Sequence, residues 1–485
     1  MMSNLPQHPS PEERPIVPLD AGDGAARILA SAFVLLGVAF LYGPTRGHMD
    51  DTDAQLYQTV ARHMVHDGTW FDLRYLPHVH SQFREHLPFG LWPYALWIRL
   101  FGEASLPLAG GLFTFCTLLV TWRTAAALVG EACAAVSVLL LATNDSYMLF
   151  AGARPRLDAP LTLVASAAAA AVMIRPLTAS TWLKAGTLMA LGELVKGPFG
   201  ALPFAAAVVA RAVVDRSWRV ASVGLGIGAA ATAPLAFFLL HDHLAGGGSW
   251  WSGYVQGQLL ASAIGTRTDG WQSPWTQLRD LGGRFQPVLQ LLAFGILQEV
   301  YGLLRRRPVH RGRRLAVLTA GVAVIALMLP QRKLPNHAFV AYPLLAVAAG
   351  AAVEPWVRRF LLWPSGRRWA VRVLVPAAVI LSVLEITWIA PRLNHPCPFS
   401  GPLRAALSAP PETAVLLVSE PTNWRVMAEL SAELALDSNP LKSLPPGLPV
   451  PDDARLAVVQ ESLLPAELGV WREASRAAGW VVLKR

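Results

Sequence analysis

The chain has 485 residues, 53% of them hydrophobic and only 15% charged, with a mean hydropathy of +0.40. A soluble chain of this length carries about 25% charge, so a soluble enzyme is excluded and a polytopic α-helical membrane protein is expected. The formal net charge is +9, from 41 Lys+Arg against 32 Asp+Glu. The basic residues fall in short loops between apolar runs, with no basic stripe carrying interleaved aromatics, so they read as orientation signals rather than a nucleic-acid surface.

Residues 1–26 are polar, with prolines at 6, 9, 11, 15 and 18, and read as a disordered cytoplasmic lead. A first span at about 27–42 lacks a small-x-small cleavage site and is expected to be retained. A polar insert at 43–105 follows. It opens on Asp50, Asp51 and Asp53, and Leu56, Tyr57, Val60, Ala61 and Met64 then recur at helical spacing, which predicts an interfacial amphipathic helix. Trp92, Tyr94 and Trp97 fit an interfacial aromatic belt. Further spans are expected at about 106–129, 132–150, 158–174, 182–195, 199–214, 220–240, 287–304, 315–329, 338–353 and 373–389, about eleven in all at roughly 20 residues each. A second insert at 241–286 holds three consecutive glycines at 246–248 and Trp250, Trp251, Tyr254, Trp271 and Trp275. Such aromatics form a belt, or bind sugar faces and prenyl chains.

The domain of spans thus covers 27–390, and residues 394–485 are soluble in character. Runs 414–418, 456–459 and 481–483 read as strands, and 424–436 and 465–478 as helices, which predicts a small α/β domain. The chain has three cysteines and no Cys-x-x-Cys, so neither a disulfide framework nor a zinc signature is present. Cys116 and Cys133 read as apolar fillers.

With a cytoplasmic N-terminus, the arginine-rich loops at 211–219, 305–314 and 358–372 fall on the cytoplasmic side. The inserts and the turns at 153–160, 196–198 and 331–337 then share the opposite side with the C-terminal domain. Arg154, Arg156, Lys196, Arg267, Arg332 and Lys333 lie there against the orientation bias, which makes them candidates for holding an anion.

Each polar group also has a structural reading. Asp51 or Thr52 can cap the helix, with Asp53 complementing its dipole. Asp158 ahead of Ala159-Pro160 can be an N-cap. Lys196 and the Arg332-Lys333 pair can snorkel. Glu85-His86 can be a solvated pair, or His86 can bind phosphate or carry a proton. The combination favours chemistry. Asp53 and Asp158, together with His86, Lys196, Arg267 and Lys333, come from separate loops on one side. That set suits a substrate with a phosphate, a lipid tail and a nucleophilic acceptor.

Five blocks in order resemble a known family. They are Asp53-x-x-x-Tyr57 followed by Glu85-His86-x-Pro88-x-Gly90-x-Trp92, then Leu157-Asp158-Ala159-Pro160, Leu194-Val195-Lys196-Gly197-Pro198, and Lys333-Leu334-Pro335-x-x-x-Phe339-x-x-x-Pro343. The pattern is similar to GT-C membrane glycosyltransferases of the lipid A aminoarabinose transferase and protein O-mannosyltransferase type. It departs from them in having Asp53-Ala54 where Asp-Glu is frequent, and His86 where lysine is common.

The resemblance implies a polyprenyl-phosphate-linked sugar donor and an active site on the non-cytoplasmic face of the cell (inner) membrane. By matching positions, Asp53 and Asp158 would be the catalytic carboxylates. Tyr57, Glu85, His86, Lys196 and Lys333 would hold the donor phosphate or line the cavity, joined by Arg267. No cofactor is certain; a divalent metal ion, if present, would fall to Asp53, Asp158 and His86. The expected function is transfer of the sugar, with inversion, to a lipid, glycan or protein acceptor. The alternatives are a non-catalytic polyprenyl-phosphate-sugar binding protein or translocase, or an inactive relative. A translocase would show internal repeats, and the two halves show none.

Overall fold

The structure is a computed structural model, and the residues it describes are 21–42, 51–75, 82–152, 154–244, 249–266, 272–306, 310–389, 415–418, 442–444, 454–464, 469–477 and 480–485. The fold is that of a polytopic α-helical membrane protein with a small sheet near the C-terminus. Helices α1 (Ala21–Tyr42), α2 (Thr52–His66), α3 (Trp92–Phe101), α4 (Leu106–Leu128) and α5 (Glu131–Ala142) are followed by a π-helical turn at Ser146–Gly152. Next come α6 (Asp158–Ile174), α7 (Ala179–Lys196), α8 (Leu202–Val214) and α9 (Trp218–Leu244). A π-helical segment at Trp251–Leu260 leads to α10 (Ala261–Ile264), α11 (Pro274–Arg284), α12 (Val288–Leu304) and α13 (Arg311–Met328). The helical part ends with α14 (Tyr342–Leu362), α15 (Pro364–Trp369) and α16 (Val375–Leu384).

The stretches expected to span the membrane fall on helical segments, with 132–150 broken at 143–144 between α5 and the π-helical turn. Among the described residues, however, five helices are long and apolar enough to cross a bilayer, or up to seven if each of two bent pairs is one span. The expected count is larger because it takes α5, α6 and α13 as spans and counts α7 and α8 separately. α5 and α6 have 12 and 17 residues, and α13 carries Arg311, Arg313 and Arg314 in its first turn. The α7–α8 pair turns through 107°. The turn has a local cause: Gly197, the C-cap of α7, has φ +60, a conformation glycine takes without steric cost, and Pro198 follows it.

The end of the bundle opposite the inserts is tied by ion pairs. Asp215 accepts from Arg211 (2.5 Å) and Arg311 (2.7 Å), joining α8 to α13. Glu299 on α12 pairs with Arg313 and Arg314, each at 3.2 Å. Cys116 and Cys133 lie within α4 and α5 as free thiols; Cys397 lies outside the described residues.

Five strands, β1 (Val415–Val418), β2 (Lys442–Leu444), β3 (Leu456–Gln460), β4 (Arg472–Ala477) and β5 (Trp480–Lys484), form one sheet in the order β2-β1-β3-β5-β4. β1 is parallel to β2 and β3, and β5 is antiparallel to β3 and β4. The expected strands at 414–418, 456–459 and 481–483 are β1, β3 and β5. The expected helix at 465–478 is corrected: residues 472–477 form β4. Its Ala, Glu and Arg content favours helix, but Gly469 turns the chain at φ +55 and pairing along β5 overrides local propensity. The expected helix at 424–436 lies outside the described residues.

The sheet alternates its faces. Leu456, Val458, Trp480 and Val482 pack into one core with Tyr57, Val60, Met64, Leu87, Leu91 and Tyr94. Ala457, Val459, Val481 and Leu483 form the other face. The sheet therefore shares a core with the first insert, and α2, the expected amphipathic helix, buries its apolar face in it. Two polar residues on α2 are buried and paired: Arg62 pairs with Glu103 at 2.5 Å, and His63 contacts Asp67 at 2.6 Å.

Candidate active site

α2 starts where the Asp51 carboxylate accepts from the backbone N–H groups of Asp53 (3.1 Å) and Ala54 (3.3 Å). Asp51 is thus the cap, as one structural reading expected. The same carboxylate also takes Arg154 (3.2 Å) and Arg156 (3.0 Å). Arg156 continues the network: its guanidinium reaches Asp53 at 2.6 Å and Asp158 at 3.4 Å. Asp158, the first residue of α6, accepts from Lys196, the last residue of α7, at 2.7 Å. Six side chains from the start of α2, the 154–158 turn and the end of α7 form one network of alternating charge.

The backbone that presents Arg156 is itself held. The Tyr94 hydroxyl donates to the Arg156 carbonyl at 2.5 Å. Gly110 of α4 lies where a Cβ would come within 2.4 Å of the Arg154 carbonyl. Tyr94 is fully buried, so it is a strut rather than part of an aromatic belt. Trp92 and Trp97 donate their indole N–H groups to the carbonyls of Trp70 (3.0 Å) and Ser105 (3.1 Å).

A cavity of about 720 Å³ opens in front of this network. Its polar end is lined by Asp53, Tyr57, Glu85, His86, Lys196 and His337, with Arg332 and Asn336 beside them. Its other end is apolar, formed by Leu202, Ala205 and Val209 of α8 and by Val322, Ala326 and Leu329 at the α13 end. Val209 and Leu329 are 47% and 77% exposed, so the apolar end opens onto the outer surface of the helices.

The expected residues occupy different depths. Half of the Asp53 side chain is open, and it faces the cavity; Asp158 is buried, with 4% of its side chain exposed, and lies behind Lys196. The Tyr57 hydroxyl contacts His86 Nε2 at 2.8 Å, with the two rings edge to face. Lys333 is turned away. It is 5% exposed, and its ammonium donates to the carbonyls of Met328 (2.9 Å) and Pro330, closing the end of α13. The adjacent Arg332 takes its expected place in the lining. Arg267 lies outside the described residues.

The site shifts its own acid–base groups. Loss of surrounding water raises the Asp53 pKa above the ordinary 3.8, and this outweighs the opposing pull of Arg156. Burial raises the Tyr57 hydroxyl well above 10, with Asp53 adding to the effect, so the phenol stays protonated. Burial alone would lower Arg156, but Asp51, Asp158 and Asp53 together push it upward. Burial lowers Lys333. Asp53, Asp158 and His86 do not assemble as metal ligands: among the described residues no three His, Cys, Asp or Glu side chains form a group able to hold a metal ion. Arg156 bridges the two carboxylates instead.

Arg156, the centre of the network, was legible in the sequence only as a cation on an unexpected side. Tyr94 was not legible as a site residue.

Comparison with known proteins gives the fold a relative. ArnT from Cupriavidus metallidurans bound to undecaprenyl phosphate is 17% identical, with a TM-score of 0.68 over 94% of this chain and 97% of that one. The same protein in its apo state is 18% identical, with a TM-score of 0.64 over 92% and 95%. The archaeal oligosaccharyltransferase AglB from Archaeoglobus fulgidus, in complex with an inhibitory peptide and a dolichol-phosphate, is 13% identical, with a TM-score of 0.51 over 90% of this chain and 69% of that one. No protein-family model and no curated protein matches the chain. The chain has the fold of these GT-C glycosyltransferases, the type that the five sequence blocks resemble.

Proposed function

We propose that this protein is an integral-membrane glycosyltransferase that takes a sugar from a polyprenyl-phosphate carrier. The observation that carries the reading is the two-ended cavity. Asp53 and Lys196 stand at its polar end, and an apolar lane between α8 and α13 leads from it to the lipid. A molecule with a phosphate and a long prenyl tail matches both ends. The undecaprenyl phosphate bound to ArnT and the dolichol-phosphate bound to AglB support the same carrier class.

In this reading the tail lies along Leu202, Ala205, Val209, Val322 and Ala326. Lys196 and Arg332 face the phosphate, with His86 at its side. The acceptor hydroxyl oxygen attacks the anomeric carbon from the face opposite the phosphate. The new carbon–oxygen bond forms, the bond from carbon to phosphate oxygen breaks, and the acceptor proton passes to the Asp53 carboxylate. Polyprenyl phosphate leaves with the electron pair, its negative charge matched by Lys196 and Arg332. The configuration at the anomeric carbon inverts.

Asp158 does not reach the reacting atoms; it aims Lys196 and shares Arg156. Asp53 bears the base role because, unlike Asp158, it is open to the cavity, it lies nearest the Arg156 and Lys196 network, and its raised pKa makes it a stronger base. The site and the C-terminal sheet lie on the non-cytoplasmic face of the inner membrane, and the acceptor is a lipid, glycan or protein reached from that side.

The reading is tested by binding. Undecaprenyl phosphate should bind the purified protein and protect it against heat, and Lys196→Met should weaken that binding by about tenfold, the loss of one charge-assisted contact. Equal binding by the parent and by Lys196→Met, Arg332→Met and a lane-blocking Ala205→Trp would overturn it.

A further inference from the structure

The wall of the cavity opposite Asp53 belongs to a segment remote in sequence, residues 249–266. It contributes Tyr254, Gln258, Leu259, Leu260 and Ser262 to the lining, while Glu85 and His86 come from the first insert. The two walls have no sheet or continuous helix in common. Among the described residues, Arg84 bridges them with a polar side chain.

Arg84 precedes Glu85-His86 and spans the seam. Its Nε donates to Ser249 Oγ at 2.9 Å, and its guanidinium lies 4.6 Å from the centre of the Trp250 ring. Its remaining N–H groups turn back to the first insert, to the carbonyls of Leu73 (3.1 Å) and Phe83 (3.2 Å) and to the Asp72 carboxylate. The arginine side chain is only 11% exposed. At Gly253, a Cβ would come within 2.5 Å of Arg84 Cβ, so glycine there permits the contact. A planar guanidinium that stacks on an indole while its edges donate is a fixed geometry that lysine does not reproduce.

The far side of the same segment is seated too. Tyr254 rests against Gly197, where a Cβ would meet its hydroxyl at 2.3 Å, and the Arg332 N–H donates to the Ser262 carbonyl at 3.1 Å. The segment is therefore a strap across the cavity, anchored beside the two cations of the polar end and pinned to the first insert at Arg84.

We propose that Arg84 is a positioning residue that sets the mouth of the cavity: it registers the Glu85-His86 strip against the 249–266 strap. It does not touch the carrier itself. The functional half of this inference rests on the polyprenyl-phosphate reading above; the structural half does not.

The experiment measures both on the full-length protein in detergent. Hydrogen exchange is followed in the peptides covering 82–90 and 249–260, and affinity is measured with undecaprenyl phosphate as probe, for the parent, Arg84→Ala, Arg84→Lys and Gly253→Ala. The expected result is faster exchange in both peptides for Arg84→Ala and Gly253→Ala, with undecaprenyl phosphate bound about tenfold more weakly. Arg84→Lys should fall between these and the parent, and exchange in α4 and α14 should not change. Gly253→Ala leaves Arg84 in place, so matching behaviour assigns the effect to the seam rather than to a lost charge. Faster exchange confined to 82–90, or affinity unchanged in Arg84→Ala while the parent binds, overturns the inference. A parent that fails to bind while both peptides loosen together sinks the carrier reading and leaves the pin established.

Discussion

Asp158 holds the Lys196 ammonium at 2.7 Å while lying outside the cavity that Lys196 lines. A buried carboxylate thus holds a largely buried cation that lines the cavity, and the proposed mechanism gives the two carboxylates, Asp53 and Asp158, different tasks. Asp53→Asn and Asp158→Asn should therefore fail in different ways. Asp53→Asn should lose about 10²–10⁴-fold in turnover, the range for a general base, with carrier affinity kept. Asp158→Asn should weaken carrier affinity, and a double-mutant cycle with Lys196→Met should show coupling, since removing either partner disrupts one contact. Calorimetric titration with undecaprenyl phosphate reads that cycle.

The pH dependence follows from the direction of the Asp53 shift. Its folded pKa lies above 3.8 because burial disfavours the carboxylate. A base must be deprotonated, so activity should fall as pH is lowered through that raised value. Arg156 opposes the shift, and Arg156→Met should move the acid limb of the rate profile to higher pH. Because burial outweighs Arg156, the stability sign is the reverse of that for an aspartate whose pKa its partners lower. The unfolded carboxyl ionises first, so stability is lost as pH rises from 3.8 through the folded pKa, and the full penalty remains above both. Asp53→Asn should accordingly raise the melting temperature at neutral pH while slowing turnover, a trade of stability for function.

Arg156 balances three carboxylates, and its removal leaves them facing one another. Arg156→Met should destabilise the fold by about 3–5 kcal/mol, the cost of breaking a buried pair. Denaturant or thermal unfolding in detergent measures this, and Arg156→Lys should recover only part of it because one ammonium cannot reach all three acids.

Lys333 and Arg332 separate fold from site. Lys333→Met should lower stability by about 1 kcal/mol through its lost hydrogen bonds to α13, leaving carrier affinity unchanged. Arg332→Met should do the opposite. Thermal shift and binding, measured on both variants, check the contrast.

These contrasts also mark how far the sequence could be read. Asp53, Tyr57, His86 and Lys196 line one cavity: Asp53 and Tyr57 lie in the first two turns of α2, His86 lies in the loop ahead of Pro88, and Lys196 ends α7. The depth of Asp158 was not legible, since an N-cap and a buried partner share the same local sequence. Lys333 and Arg332 are neighbours in the turn after α13, yet Lys333 turns back onto α13 while Arg332 lines the cavity, so a one-residue difference separates their roles. Arg156 drew attention only as a misplaced cation, because pairing between α2 and the 154–158 turn leaves no periodicity. The stretch 472–477 became a strand through its pairing with β5, which lies later in the chain.

The most direct test supplies the purified protein with polyprenyl-phosphate-linked sugars and a lipid extract of the cell envelope as acceptor. It follows release of polyprenyl phosphate together with appearance of the sugar on the acceptor. The account predicts that the parent releases both in equal amounts and that Asp53→Asn, still binding undecaprenyl phosphate, is slowed by about 10²-fold or more. Turnover by Asp53→Asn at the parent's rate would contradict it.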